Sequence, residues 1–203
     1  WTSDEDGRRF LGTAKWGLTP SWAKDPAIGE KMFNARAETV AEKPSFRAAF
    51  RRRRCLVAVD GFYEWGPAER LADARTTRGR TTRQPWYVHR ADGSPLVLAG
   101  LWEHRMGLRT CSIITVPAND DLAPLHHRMP AVLEPVDWDG WLDDGDPDHS
   151  DLKSLLAPAD DGTLARHTVH SRVNSARNRG SELIEPADPV GMSIVAPDQG
   201  VLW

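Results

Sequence analysis

Apolar positions in this chain come in short runs bounded by Pro, Gly, Asn and Asp, which is the pattern of strands closed by turns rather than of long helices. TAKWGL, at 13–18, has the length and alternation of a short strand ending at Pro20. Residues 20–33 carry proline, glycine and mixed charge without a period, so they read as a surface loop that exposes the following FNARAETV. PSFRAAFRRRR, at 44–54, predicts a helix of about two turns, its basic end suited to the negative pole of the macrodipole. CLVAVDGFYEW, at 55–65, is the clearest strand, with an Asp-Gly turn signal inside it and an aromatic pair around Glu64. Residues 66–85 are rich in Arg, Thr and Gly and predict a mobile basic loop.

Downstream, PWYVHRADGSPLVLAGLWE (85–103) predicts a hairpin turning at Ala91 to Ser94, and LRTCSIITV (108–116) another buried strand. PANDDLAPLHHRMPAVL (117–133) is a polar, proline-punctuated passage between apolar strands, a natural place to display a site. Beyond Pro135, VDWDGWL and SDLKSLL predict two short helices flanking an acidic loop at 143–151. A last strand is expected near HTVHSRV (167–173), then a tail with Pro186, Pro189 and Pro197 that wraps the surface. The sum is a strand-dominated α+β fold, a single domain over residues 1–203 without internal repeats, because the helices are too short and irregular for alternating βαβ units.

Composition adds limits. With 203 residues, 40% hydrophobic and 27% charged, the chain has ordinary globular composition. No apolar run approaches the roughly 18 residues of a membrane span, and no secretory signal opens the chain. Cys55 and Cys111 each sit inside an apolar run and read as buried, reduced thiols of a reducing compartment. The net charge of −3 conceals an asymmetry: residues 1–105 hold 19 Lys and Arg against 13 Asp and Glu, and residues 106–203 hold 7 against 16. A phosphate-binding face should therefore draw on the first half. Nine tryptophans exceed what the core of such a domain requires, so some are candidate stacking platforms.

Phosphate-loop, dinucleotide, zinc-protease, serine-hydrolase and CxxC signatures are absent. His126 and His127 are adjacent, so on an extended chain their rings diverge, and no third ligand lies near; neither a metal nor a cofactor is expected. What remains is a set of polar groups in exposed settings. In NARAE, an extended chain puts Asn34, Arg36 and Glu38 on one face, able to hold a sugar and its phosphate or simply forming a solvated edge. Glu64, between Tyr63 and Trp65, is either a general acid favoured by apolar flanks or a structural ion-pair or capping partner. His126 and Arg128 in HHRMP combine an imidazole with a guanidinium, in a site or in a surface turn. Trp16 and Trp22 flank a proline turn, as base-stacking faces or as core residues.

Taken in order, WGLTPSW, NARAET, SFRAAFRRRRCLVAVDGFYEW, LAGLWE, SIITVPAN, LHHRMPAVL and VNSARNRGSELIEP resemble the blocks of the SRAP (SOS response-associated peptidase) domain family, the HMCES and YedK group, over nearly the whole chain. The resemblance implies a compact α+β domain with a barrel-like sheet, short peripheral helices and a basic cleft. It also implies a role in the DNA damage response and repair: binding single-stranded DNA at abasic sites and shielding them by a covalent crosslink. By position, Asn34 resembles the asparagine that orients nucleophile and opened sugar, Glu64 the catalytic glutamate, and His126 the histidine assisting ring opening. Arg36 and Arg128 resemble phosphate contacts, with Trp16 and Thr115 lining the same cleft. The family nucleophile, a cysteine after the initiator methionine, is absent from this chain, which starts at Trp1. Its α-amine would attack the sugar aldehyde and its thiol close a thiazolidine ring. The expectations are therefore an abasic-site crosslinking protein, a noncovalent single-strand binder without the nucleophile, or a peptidase-like hydrolase using Glu64 and His126. A cytoplasmic monomer, nucleoid-associated in a bacterium, is expected throughout.

Overall fold

A computed structural model describes residues 2–3, 9–66, 83–105, 107–143 and 149–188. The fold is α+β and mostly strands. In chain order these are β1 (Thr2–Ser3), β2 (Arg9–Phe10), β3 (Lys15–Trp16), β4 (Asn34–Arg36), β5 (Arg54–Val59), β6 (Gly61–Gly66), β7 (Gln84–Arg90), β8 (Leu96–Arg105), β9 (Leu108–Pro117), β10 (Arg128–Pro130) and β11 (Leu164–Thr168). Short helices α1 (Arg47–Arg52), α2 (Trp138–Leu142) and α3 (His149–Ser154) accompany them. Among the described residues no helix is long and apolar enough to cross a membrane.

Contacts divide the chain into two compact units, Trp1–Gly61 with His89–Ala165, and Phe62–Val88 with Arg166–Trp203. In the first, an eight-stranded sheet runs β10-β9-β8-β5-β1-β2, with β3 and β4 also paired to β9. β8 and β9 form the hairpin, Arg105 opposite Leu108 and Gly107 at φ 75° in the turn. Their pairing ends at Gly100 opposite Ile113, and beyond that point the chain after residue 127 enters between them. Ala131 donates to Ile114 O at 2.9 Å and accepts from Ala99 N at 2.9 Å, while Leu133 N donates to Val97 O at 2.8 Å. One strand thus satisfies the backbone groups that the splayed hairpin leaves open.

The opposite edge of β9 pairs in parallel with β3 at Cys111 and with β4 from Ile113 to Thr115. Two parallel strands on one edge require the intervening chain to loop out and return. Gly17, at φ 110°, makes this possible, since a Cβ there would stand 2.5 Å from Gly29 O.

Helices α1 and α2 pack on β5 and β8 and bring Phe50 and Trp141 into the core, where Ala99, Leu101, Ile114 and Val116 are also buried. The two rings lie 6.1 Å apart. Arg54 is 2% exposed and lies against the ends of both helices. Its guanidinium donates to Phe50 O and Arg51 O, each at 2.7 Å, to Trp141 O at 2.6 Å and to Asp143 O. These carbonyls end α1 and α2, whose negative poles favour a guanidinium there.

In the second unit β6, β7 and β11 form a three-stranded sheet. Three expectations are corrected here. The run 55–65 is two strands, parted at Asp60 and belonging to different sheets, and the segment 85–103 is not a hairpin, since β7 and β8 also belong to different sheets. The turn at Ala91 to Ser94 does form, with Asp92 Oδ1 accepting from Ser94 N at 2.9 Å. A turn motif specifies a local bend; which sheet each arm joins depends on distant partners. The last strand also lies earlier than expected, at 164–168, and Ser171–Asn174 is a 3-10 turn. The basic loop at 67–82, the acidic residues 144–148 and the tail prolines 189 and 197 lie outside the described residues.

Replacing Arg54 by Met should leave at least four helix-end carbonyls without a charged donor and cost about 3 kcal/mol. A urea titration of the two proteins measures it; an unchanged midpoint contradicts this role for Arg54.

Candidate functional site

Register along β9 decides which side chains share a face. Trp16 pairs Cys111, Asn34 pairs Ile113, Arg36 pairs Thr115 and Arg128 pairs Pro117, all odd positions, so these side chains emerge on one side of the sheet. The alternate pairs, Ala35 with Ile114 and Met129 with Val116, point into the core and are buried. Burying Ala35 and Met129 therefore fixes Asn34, Arg36 and Arg128 on the accessible face. Asn34, Arg36 and Glu38 are all exposed and Ala35 is buried, but the extended run stops at Arg36 and Glu38 stands in the turn that follows.

Arg128 is anchored at this point. Its Nη2 donates to Thr115 O at 2.5 Å and lies 3.3 Å from Thr115 Oγ1. Its Nη1 and Nη2 also take one oxygen each of the Glu38 carboxylate, the second at 3.0 Å. Glu38 was legible as part of the exposed face but not as the partner of Arg128, a contact spanning 90 residues. Chiefly through these hydrogen bonds the Arg128 guanidinium holds the Glu38 carboxyl below its usual range.

The turn at 118–127 delivers His126. Ala118 N bonds His127 O at 3.1 Å and closes the loop. Asn119 donates to Ala159 O at 3.1 Å, and Asp121 accepts from Gly162 N and Leu164 N, tying the loop to the chain before β11. His126 Nδ1 then lies 3.1 Å from Arg128 N and 3.0 Å from Arg128 O. It accepts from the first when unprotonated and donates to the second when protonated, so the ring has a backbone partner in both states. The two histidine rings do not diverge as expected: their centroids are 4.4 Å apart, because the chain turns here instead of running extended.

Trp16 is 54% exposed, its indole N–H bonded to Phe33 O at 2.9 Å and its ring edge-on to Phe33 at 5.2 Å. Phe33, missed in the sequence, shares this exposed aromatic surface next to Asn34. Trp22 is 55% exposed, its N–H on Pro44 O. Neither is a core residue.

Glu64 belongs to the second unit, half-buried on β6, where Oε1 accepts from Trp65 N at 3.0 Å. Trp65 in turn donates its indole N–H to Asn174 Oδ1 at 2.7 Å, which explains the place of VNSARN in that unit. Tyr63 and Tyr87 pack beside it, ring centroids 5.6 Å apart.

Both cysteines are buried and free. Burial, with Cys111 nearby, pushes the Cys55 thiol up to about 12, and burial raises Cys111 as well. Neither supplies a thiolate.

These strands and turns, carrying an amide, two arginines and an imidazole around one strand end, define a class seen elsewhere. The family model of SOS response associated peptidase (SRAP) matches residues 2–176, and the chain belongs to that family. It is 41% identical over 180 residues to the abasic site processing protein YoqW of Bacillus subtilis, covering 86% of this chain and 76% of that one. It is 32% identical to the abasic site processing protein HMCES of Pongo abelii, covering 92% of this chain and 59% of the relative. A crystal structure of a Bacteroides thetaiotaomicron protein superposes with a TM-score of 0.72 at 27% identity, covering 85% of this chain and 75% of that one.

Two outcomes follow. The Glu38 carboxyl, titrated by NMR, should ionise below the ordinary value of about 4.3 and move back up in Arg128→Ala. Because its folded value is the depressed one, the pair's stabilisation is complete above the unfolded value and lost as pH falls through the folded value. Native protein should resist a thiol reagent at mildly alkaline pH and release its two thiols only on unfolding; rapid native labelling contradicts the burial of Cys55 and Cys111.

Proposed function

We propose that this chain recognises abasic sites in single-stranded DNA and, with a cysteine at the family's N-terminal position ahead of Trp1, crosslinks to them. The observation that carries the reading is the register of β9, which sets Asn34, Arg36, Thr115 and Arg128 on one face beside His126 and an exposed Trp16. The names of YoqW and HMCES, abasic site processing proteins, support the substrate.

Removal of a base leaves a deoxyribose that opens to an aldehyde. In this reading Arg36 and Arg128 take the flanking phosphates, and Trp16 with Phe33 offers a stacking surface for a neighbouring base. His126 moves a proton to and from the sugar ring oxygen, its Nδ1 partnered in either state. The α-amine of the cysteine condenses with the aldehyde, releasing one water and forming an imine, and the thiol then adds across the imine carbon to close a thiazolidine. Asn34 orients the amine and the opened sugar, and Glu64 acts as the acid that assists loss of water. Cys55 and Cys111 take no part, being buried and without a free α-amine.

The test is a denaturing gel of the protein carrying a Met-Cys start, incubated with a single-stranded oligonucleotide holding one abasic site. A slow band specific to the lesion is expected. Asn34→Ala, Glu64→Ala and His126→Ala should slow its appearance about 10- to 1,000-fold, and Arg36→Ala should weaken binding without changing the saturated rate. No adduct with a Met-Cys start, beside retained binding of the strand, leaves the noncovalent reading in its place.

A further inference from the structure

Arg128 already holds an anion shaped like its proposed ligand. Nη1 and Nη2 meet the two oxygens of the Glu38 carboxylate, Nη2 also serves Thr115, and Nε is buried without a hydrogen-bond partner. The outward fork of the guanidinium is therefore covered, in the geometry with which arginine grips a phosphate. The two partners differ in freedom: the Arg128 side chain is 14% exposed and pinned by Thr115, whereas the Glu38 side chain is 49% exposed. Glu38 is the one that can leave.

We infer that Glu38 is a built-in phosphate mimic that determines how tightly the site retains a strand. A backbone phosphate gains Arg128 only by displacing the Glu38 carboxylate, so engagement is an exchange of anions rather than the filling of an empty cationic pocket. The exchange lowers the affinity of every strand, and this rests on the phosphate contact proposed above. Undamaged strands, held only noncovalently, lose residence in full, while a lesion joined to the protein is kept by its covalent bonds. Glu38 thereby favours release of undamaged DNA without weakening the final product. Arg36 adds to the field at the Glu38 carboxylate, so a strand that pairs with Arg36 also loosens the carboxylate it must displace.

Fluorescence anisotropy with an undamaged single-stranded oligonucleotide across a KCl series tests this. Glu38→Gln should bind about fivefold tighter than wild type at each salt concentration. Glu38→Ala should change in the same direction. Glu42→Gln, on the same exposed segment, removes the same charge and should change affinity less than about twofold. The gain should vanish when Arg128→Ala is present. Equal gains from Glu38→Gln and Glu42→Gln overturn the proposal in favour of general electrostatics. Weaker or unchanged binding by Glu38→Gln makes Glu38 a support for Arg128 and overturns it too. If wild type is silent and Glu38→Gln binds, the exchange is confirmed in its strongest form. If neither binds at low salt, the single-strand reading fails and takes this one with it; binding by wild type with no gain in the variant sinks the exchange alone.

Discussion

The fold depends on how the splayed end of one hairpin is filled. β8 and β9 pair down to Gly100 and Ile113, and past that point the chain leading from Arg128 to Leu133 bonds to both of them. Unpaired backbone groups there would face the core, where each costs about 1–3 kcal/mol, so the insertion is not optional. Because this segment must enter between the strands, Arg128 and the preceding His126 are delivered to the end of β9. The opposite edge of β9 is meanwhile taken by β4, which brings Asn34 and Arg36 to the same place. Two independent backbone requirements thus converge polar side chains that lie 90 residues or more apart.

Electrostatics follows the same local logic. The chain as a whole is acidic, yet the face at the end of β9 has Arg36 and Arg128, with Glu38 as an internal partner. Net charge describes solubility and long-range steering; the contact surface is set by which residues register places outward. Arg54 shows the opposite solution. Buried, it donates to the carbonyl ends of two helices and so joins them. Arginine therefore serves as a structural bolt on the helix-covered face and as an anion receptor on the other.

Much of this was readable from pattern. The alternation in NARAE predicts the exposed face, because a period of two follows directly from an extended backbone, and the polar setting of HHRMP between apolar strands predicts a displayed turn. The two short helices after Pro135 are also where the sequence places them. Sheet membership was not readable. The run 55–65 looks continuous because both of its strands are apolar; its Asp-Gly signal marks a turn at 60–61, but nothing local says that the two arms join different sheets. The turn at Asp92 carries every hairpin signal while its arms pair elsewhere. Parallel pairing of β3 and β4 with β9, and the grip of Arg128 on Glu38, are long-range consequences of the fold and leave no short-range trace. The close approach of His126 and His127 was missed for a related reason: the pair was read on an extended chain, and the loop is closed into a turn by Ala118 and His127.

The central claim is that one face, at the end of β9, receives the damaged strand. Amide chemical-shift mapping during titration with an abasic single-stranded oligonucleotide addresses it most directly. The account predicts perturbations concentrated on 33–38, 113–117 and 126–128, with Leu56, Ala58, Val97 and Trp138 on the helix-covered side of the sheet silent. Perturbations centred on those four residues, with 33–38 and 126–128 unmoved, would contradict it.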